Sequence, residues 1–430
     1  MKVDSKEIFE KYQERFLAKT KRIALKYLQK VDELPDEPKQ LEYFKNILKT
    51  AFVDNKIIKT KEDEKVIGTF CVTMPSEIIR ACNARPIRLC SNSYIGYNIG
   101  ESMASLDMCP LSKSVISNLY GDISFAYKES EMFILPLTCD CKKNLLPYLS
   151  NYKPTEVLHV PYRRNDDEAI DLYINDLKQI SNKISLITGT PLTKESLKKE
   201  IEIQAEAQKE ILLLSELKLN DQLLIRGTHS LLVMNSMAFD DISSWTKHLK
   251  LLNKELLEKK ANQTQLVKKK SPRILLAGSP ITFPNIKLPL IIEQQGGVVV
   301  ADETCLGERG HSDLVSIFED SLSGYYRALA NRYIKPCSCA FFPDNLARIN
   351  KINELVNEGK IDGIVYHDLH NCLVYDYEYQ QIEEYFSKKG IPVIKIESDS
   401  NDEDLELISV RISAFLEMIT FANKGGNNNV

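Results

Sequence analysis

The sequence predicts an α/β protein made of two Rossmann-like lobes with parallel sheets, an N-terminal helical appendage and a helical middle segment. Three observations carry this prediction. Short apolar runs alternate with helical stretches from Lys65 and again after Pro272, and strands that alternate with helices indicate βαβ units with a parallel sheet. The residues between these regions have long helical stripes and almost no Gly or Pro. A chain of 430 residues is also too long for one ordinary core, so two or three domains are expected.

The N-terminal residues have the apolar spacing of an amphipathic helix. Phe9, Tyr12, Phe16, Ile23 and Tyr27 follow one another at steps of three, four or seven residues. The pattern changes to shorter apolar runs near residue 65. We therefore expect a helical appendage over residues 1–60.

A first α/β lobe is expected over residues 61–162. Its apolar runs "KVIGTFCV", "PIRLCSN", "EMFILPLTC" and "EVLHVPY" are typical of buried strands. Helical stretches such as "PSEIIRACNA" and "CPLSKSVISNLYG" lie between them. The alternation predicts a parallel sheet whose crossovers are helical.

Residues 163–270 break this rhythm and predict a helical insertion or linker subdomain. Stretches such as "KESLKKEIEIQAEAQKEILLLSEL" are rich in Lys, Glu, Leu and Ile, and their charged face is most simply a solvated surface.

The alternation returns in a second lobe over residues 271–424, with strands in "RILLAGSPI", "GGVVVADETC", "DGIVYHDLHNC" and "IPVIKIESD". A helix is expected over "VSIFEDSLSGYYRALANRY" and another over "NLARINKINELVNEG". Residues 425–430 are expected to be a disordered tail.

The composition excludes several classes of function. Hydrophobic residues make up 43% and charged residues 27% of the chain, and the net charge of -4 provides no basic field for nucleic acid or anionic lipid. No window approaches the ~18 consecutive apolar residues of a membrane span, and the charged N-terminus lacks the apolar region of a secretory signal. A cytoplasmic location is expected, where thiols stay reduced unless they are catalytic or bind metal.

Seven of the ten cysteines are placed alike in the two lobes. In each lobe one cysteine ends a strand, a cysteine or a pair opens the next helix, and another ends the next strand. In the first lobe these are Cys90, Cys109 and Cys139; in the second they are Cys305, the pair Cys337 and Cys339, and Cys372.

This placement predicts convergent thiols. In open parallel sheets, ligands collect beyond the carboxyl ends of the strands, where helix N-termini also point. Convergent thiolates suit an iron-sulfur cluster or a zinc site, but zinc usually takes four ligands in local pairs, and each lobe offers three dispersed positions. The simpler alternative is that these are core cysteines, since free Cys is often buried. Cys71, inside the strand "GTFCV", and Cys82, on the apolar side of a helix, fit that alternative.

The other motifs of the sequence give weaker evidence for a chemical function. No G-x-x-x-x-G-K-[ST] motif occurs, so the chain is not expected to hydrolyse a nucleotide through a P-loop, and "GGVVVADETC" lacks G-x-G-x-x-G. His367 and His370, beside Cys372, could donate hydrogen bonds to cluster sulfurs or serve only a local turn. Asp302, Glu303 and Arg309 flank Cys305 in "ADETCLGER", and a buried Asp/Arg pair there could hold the loop or act in chemistry.

Several separate segments together carry a resemblance to a known family. They are "MPSEIIRACNARPIRLC", "LTCDCKKN", "IIEQQGGVVVADETCLGERG", "IDGIVYHDLHNCLVYDYE", "GIPVIKIESD" and "RISAFLEMI", and they occur in the family's order from about residue 65 onward. The chain resembles the 2-hydroxyacyl-CoA dehydratase and benzoyl-CoA reductase family. A complete cysteine triplet in both lobes is most similar to the double-cubane cluster proteins of that family.

The resemblance implies a cofactor and its ligands. In double-cubane proteins one chain holds two [4Fe-4S] units joined by a bridging sulfide, an [8Fe-9S] cluster. Carried over, Cys90, Cys109 and Cys139 would bind one cubane. Cys305, Cys372 and Cys337, or Cys339 in place of Cys337, would bind the other. Cys141 falls where the family commonly has glycine and is interpreted as a bystander.

The resemblance also implies partners and an activity. Electrons would come from a separate ATP-hydrolysing [4Fe-4S] activator protein, and the chain would be a homodimer and an oxidoreductase that reduces a small molecule at low potential in an anaerobic organism. One alternative is a lyase, a 2-hydroxyacyl-CoA dehydratase subunit with a single [4Fe-4S] cluster and a second type of subunit. The other is a non-enzymatic two-lobed binding or electron-carrier protein.

Overall fold

The computed structural model describes residues 5–90, 107–262, 271–336 and 339–425. The chain begins with helix α1 (Ser5–Asp32) and helix α2 (Leu41–Phe52), as the apolar stripe predicts. Ile23 and Tyr27 of that stripe are buried in the core. The N-terminal helices therefore pack on the body of the protein.

The first α/β region contains four strands and the helices between them. These are β1 (Lys65–Thr69), α3 (Ser76–Ala81), β2 (Ala84–Arg88), α4 (Pro110–Gly121), α5 (Phe125–Glu129), β3 (Ser130–Leu137), α6 (Asp140–Lys143), α7 (Leu146–Tyr152) and β4 (Thr155–His159). Strand β1 is shorter than "GTFCV" suggests, so Cys71 lies two residues beyond its end. The prediction that Cys71 lies inside the strand is wrong.

Four helices follow, and all of them lie in the segment whose composition predicts helix. They are α8 (Asp167–Thr188), α9 (Lys194–Leu219), α10 (Gly227–Ser236) and α11 (Ile242–Ala261). Asp166 caps α8 and Thr193 caps α9 through their side chains, which accept hydrogen bonds from the first-turn amides. Within the described ranges, no helix combines the length and apolarity that a membrane crossing needs.

The second α/β region repeats the plan of the first. It contains β5 (Arg273–Gly278), α12 (Lys287–Gln294), β6 (Val298–Thr304), α13 (Leu322–Ile334), α14 (Leu346–Glu358), β7 (Gly363–Leu369), α15 (Leu373–Ser387), β8 (Val393–Ser398) and α16 (Leu405–Gly425). The helix predicted over "VSIFEDSLSGYYRALANRY" begins only at Leu322, so its first seven residues are wrongly assigned. The cause is local, because the Ser321 side chain accepts a hydrogen bond from the Gly324 amide and caps the helix there.

The two sheets have the same strand order. The first runs β2-β1-β3-β4 and the second β6-β5-β7-β8, and all the pairs are parallel. In each sheet the first strand of the chain lies between the second and the third, so the crossovers leave it in opposite directions. That reversal opens a crevice at the carboxyl ends of the strands. The prediction of an α/β fold with two parallel-sheet lobes is confirmed.

Both sheets share one apolar core. On β3, Phe133 and Leu135 face a large cluster that also contains Ile274 and Leu276 of β5, while the intervening Met132 and Ile134 face a second cluster. This alternation is the two-residue period of a strand buried on both faces. Helices α9, α10 and α11 of the middle segment also contribute side chains to the shared cluster. These are Ile211, Leu214, Leu231, Leu232, Trp245 and Leu249.

Gly278, the last residue of β5, allows the close approach of two strands. Its φ is +103°, and a Cβ added there would collide with the carbonyl oxygen of His367, which accepts a 2.8 Å hydrogen bond from the Ser279 amide. We expect Gly278→Ala to lower the free energy of unfolding by roughly 2–3 kcal/mol. Gly189→Ala is the matched control, since Gly189 also has positive φ but has nothing within 4 Å of an added Cβ. Urea unfolding of the two variants would contradict this account if they lost equal stability.

Candidate iron-sulfur site

The cysteines of both lobes lie beyond the carboxyl ends of the strands, as their sequence placement predicts. Cys90 follows β2, and Cys139 follows β3 and directly precedes α6. Cys305 follows β6, and Cys372 follows β7 and directly precedes α15. Cys109 directly precedes α4. Helix N-termini favour negative charge, so the helices favour the thiolate form at three of these positions, against the effect of burial.

Thiols of one lobe lie within electrostatic range of thiols of the other. Burial raises the pKa of Cys305 to about 12, and the charge of Cys90 acts in the same direction. Burial likewise raises the pKa of Cys372 to about 12, and the charge of Cys139 adds to it. Thiols that influence each other in this way lie close together. We call the space between these thiols the interlobe crevice, bounded by Cys90 and Cys139 of one lobe and Cys305 and Cys372 of the other.

Cys109 belongs to the same group of thiols. It forms a hydrogen bond with Cys141, which together with burial raises the pKa of Cys109, and the charge of Cys372 in the other lobe acts in the same direction. The same hydrogen bond lowers the pKa of Cys141. Cys141, interpreted from the sequence as a bystander, therefore contacts a predicted ligand directly.

The pair in "KPCSC" is described only in part. Cys337 lies outside the described residues. Cys339 is half-buried, and its charge acts on both Cys305 and Cys372, which places it at the interlobe crevice. It does not open a helix, because it lies in a turn and α14 begins only at Leu346. The prediction of a helix start at this pair is wrong for Cys339. The turn is held in part by a 3.5 Å contact from the Phe341 amide to the Cys339 sulfur.

Sequence reasoning missed Cys71 and Lys142 at this site. Lys142 is half-buried on α6, and burial would lower its pKa, but the charges of Cys71, Cys139, Cys90 and Cys339 raise it above its ordinary value. Cys71 is buried, which would raise its pKa, but the charge of Lys142 and hydrogen bonds from Thr73 and Lys142 lower it. Lys142 is thus a cation amid thiols of both lobes.

A second cation, Arg309, lies on the other side of the crevice. Its charge lowers the pKa of both Cys305 and Cys339 against the effect of burial. Its guanidinium donates to Glu303 at 3.3 Å and to the Tyr375 hydroxyl at 2.7 Å. These bonds fix Arg309, so the loop after β6 holds a positive charge beside the thiols.

Glu303 is shared by two buried arginines. Arg348 donates to Glu303 at 2.8 Å and lies 3.2 Å from Glu378, which accepts a 2.7 Å hydrogen bond from the Tyr366 hydroxyl. Asp302, by contrast, accepts a 2.9 Å bond from the Thr304 amide and does not pair with Arg309. Burial raises the pKa of Asp302 to about 6. The acidic partner of Arg309 is therefore Glu303.

The two histidines beside Cys372 have local partners. The Nδ1 atom of His367 lies 3.1 Å from the Ser279 carbonyl oxygen, and its Nε2 atom lies 2.7 Å from the Ser398 hydroxyl. His370 is exposed and pairs with Glu397. His367 uses both ring nitrogens locally, so the hypothesis that it donates to a cluster sulfur is wrong; for His370 that hypothesis stays a prediction.

The dispersed thiols at the crevice are donors that an iron-sulfur cluster can use. Among the residues that the structure describes, no three Cys, His, Asp or Glu side chains could jointly hold one metal ion. A single zinc ion needs its thiolates about 2.3 Å from a common point, whereas each iron of a cluster takes its own thiolate. Dispersed thiols flanked by Lys142 and Arg309 suit an anionic cluster.

Comparison with known proteins gives the family. The family described as "2-hydroxyglutaryl-CoA dehydratase, D-component" matches residues 71–419. Relatives include "Putative dehydratase subunit YjiM" of Escherichia coli (strain K12), 27% identical over 89% of this chain and 99% of the relative. The "(R)-phenyllactyl-CoA dehydratase beta subunit" of Clostridium sporogenes is 25% identical over 83% of this chain and 92% of its own. The resemblance predicted from the motifs is confirmed, and the chain belongs to the 2-hydroxyglutaryl-CoA dehydratase D-component family.

Proposed function

We propose that the chain is an iron-sulfur reductase with a double-cubane [8Fe-9S] cluster held between the lobes. Cys90, Cys109 and Cys139 would hold one cubane. Cys305, Cys372 and Cys337 would hold the other, with Cys339 as the alternative to Cys337. The observation that carries the proposal is that thiols at the carboxyl ends of the strands of both lobes lie within electrostatic range of one another, Cys90 of Cys305 and Cys139 of Cys372.

The surroundings of the thiols suit an anionic cofactor whose potential the chain can tune. Such a cluster, when bound, supplies electrons at a potential set by net charge, hydrogen bonds to sulfur and exposure to solvent. Burial makes that potential more negative, whereas the helix N-termini and the cations Lys142 and Arg309 make it more positive. Electrons would come from a separate ATP-hydrolysing [4Fe-4S] activator protein, and the chain would act as a homodimer.

A second candidate function follows from the relatives. One relative carries the name of a phenyllactyl-CoA dehydratase beta subunit, and the family is named for a dehydratase component. In this alternative the chain is a lyase subunit with a single [4Fe-4S] cluster, and only one cysteine triplet would hold iron. The second triplet would then be structural.

Iron and sulfide analysis of anaerobically purified protein separates the two. The double-cubane proposal requires about eight irons per chain, and the dehydratase alternative about four. Fewer than one iron per chain would overturn both. Size-exclusion chromatography with light scattering, run on the same sample, tests the homodimer.

Lys142 offers a separate test of an anionic cofactor at this site. Removing a positive charge near an anionic cluster disfavours the added electron, so we expect Lys142→Met to shift the midpoint potential negative, on the order of 50–100 mV. A redox titration followed by electron paramagnetic resonance measures it. Lys143→Met is the control, since Lys143 is the exposed neighbour on the same helix and pairs with Asp140. Equal shifts in the two variants would contradict the placement of Lys142.

A further inference from the structure

A cavity of about 110 Å³ lies beside the interlobe crevice. Its wall includes Val72, the neighbour of Cys71, Leu306, the neighbour of Cys305, and Gly310 of the loop that follows β6. A Cβ added to Gly310 would lie 3.0 Å from the Cys305 carbonyl oxygen and 3.5 Å from a methyl carbon of Val72, so the two lobes meet here. At ~10–15 Å³ per water, the cavity has room for a molecule of about ten non-hydrogen atoms or fewer.

Most charges on the cavity wall are already paired. Arg80 donates to Glu200 at 2.8 Å, and Arg85 donates to two backbone carbonyl oxygens and lies 3.5 Å from Glu64. Two further carboxylates line the cavity, and both have local partners: Asp240 accepts from the Tyr43 hydroxyl at 2.7 Å, and Asp241 accepts from the Ser244 amide at 2.9 Å and caps α11. Because these groups already have partners, they are poor candidates for binding a ligand.

Arg88 and His311 differ from the other polar side chains of the wall. Arg88 ends β2 and is half-buried, and no hydrogen bond or ion pair joins its guanidinium to any residue in the described ranges. The buried His311 imidazole likewise has no hydrogen-bond partner among the described residues. Burial, with the nearby charges of Arg88 and Arg332, lowers the pKa of His311 to about 3, so the ring is neutral and keeps one N–H to donate.

We propose that this cavity binds a small carboxylate, whose oxygens accept hydrogen bonds from the Arg88 guanidinium and the His311 imidazole. A planar guanidinium matches a carboxylate with two parallel bonds, and both the half-buried Arg88 fork and the buried His311 N–H lack an acceptor among the described residues. Val72, Leu306 and Met237 provide apolar surface for a short carbon chain. Cys90 lies close enough for the Arg88 charge to act on it, so the bound molecule lies next to the predicted ligands. Binding of a carboxylate in this cavity does not depend on the proposed function. That the bound carboxylate is the substrate of the chain does rest on it.

Isothermal titration of anaerobically purified protein with propionate tests the site. We expect saturable binding of one propionate per chain, tenfold or more weaker in Arg88→Gln and changed less than threefold in Arg80→Gln. Arg80→Gln removes the same charge from the same wall, but from a guanidinium that Glu200 already occupies. Propionamide, the neutral analogue, should not compete. Arg88→Lys keeps the charge without the fork and should lose severalfold in affinity, so it carries the test if Arg88→Gln does not fold.

The result that overturns the proposal is distinct from failure of the cluster assignment. No saturable propionate binding, equal weakening in Arg80→Gln and Arg88→Gln, or equal binding of propionamide would each overturn the carboxylate site. Iron content is measured on the same samples. Iron-free protein that binds propionate through Arg88 would refute the proposed cofactor and retain the carboxylate site. Iron-loaded protein that does not bind propionate would overturn the carboxylate site and retain the proposed cofactor.

Discussion

Cys305→Ser is expected to lose about half of the iron that the wild-type chain binds. Cys305 is the strand-end thiol of the second lobe that lies within electrostatic range of Cys90. A serine hydroxyl ionises far less readily than a thiol and is a poor ligand for iron, so the cubane of this lobe would not be retained. Iron and sulfide analysis after anaerobic purification measures the loss, and circular dichroism checks that the variant is folded.

Cys82→Ser is the matched control for this loss. Cys82 is fully buried in an apolar cluster, and its sulfur contacts the Ser181 carbonyl oxygen at 3.5 Å, which a serine hydroxyl could also do. We expect Cys82→Ser to retain its iron. A Cys305→Ser variant with the full iron content would contradict the assignment of the second-lobe triplet. The same measurement on Cys337→Ser and Cys339→Ser would identify which of the two is the ligand.

Arg348→Met is expected to cause the largest loss of stability. Arg348 and both of its acidic neighbours, Glu303 and Glu378, are about 97% buried, since their side chains are 2% and 3% exposed. Removing one partner of a buried ion pair leaves the other charge without compensation, which typically costs about 3–5 kcal/mol. Urea unfolding followed by circular dichroism measures the change in the free energy of unfolding.

Two further variants test the cause of that loss. Lys351→Met changes an exposed cation on the same helix, α14, and should alter stability by less than about 0.5 kcal/mol. Arg348→Met leaves Glu378 without a cation, whereas Glu303 keeps Arg309, so adding Glu378→Gln removes the stranded charge and should recover part of the loss. If Arg348→Met costs less than about 1 kcal/mol, or if the double variant recovers nothing, the burial of uncompensated charge is not the cause.

The sequence was sufficient for the fold class because both sheets are buried on both faces. Such strands are short continuous apolar runs, and the helices between them require parallel pairing. The strand order, with the first strand between the second and third, depends on which way each crossover turns, and that is a property of packing. Helix α13 begins late, at Leu322, because the Ser321 side chain caps it there. The sequence predicts an earlier start because the residues before Ser321 continue the apolar pattern.

The site was predicted in outline and missed in detail. Strand-end cysteines can be read from the sequence, because an apolar run that ends in Cys marks the edge of the sheet. Cys71 carries the same signal, but the predicted strand "KVIGTFCV" is three residues too long. Lys142 stands beside Lys143 in "CDCKK", and only the turn of α6 decides which of the two faces the thiols. Arg88 was missed because its functional interest lies in having no partner within the described residues, which no sequence pattern reports.

The division of thiols between the lobes has a consequence for biosynthesis. Domains fold in the order in which they leave the ribosome, at about 5–20 residues per second. Cys90, Cys109 and Cys139 therefore emerge well before Cys305 and Cys372 have been translated. A cofactor held by both lobes could be completed only after the nascent chain is almost finished. Until then the first-lobe thiols must wait beside Lys142, open to oxidation, and insertion of the cofactor would be a late step that depends on a fully made chain.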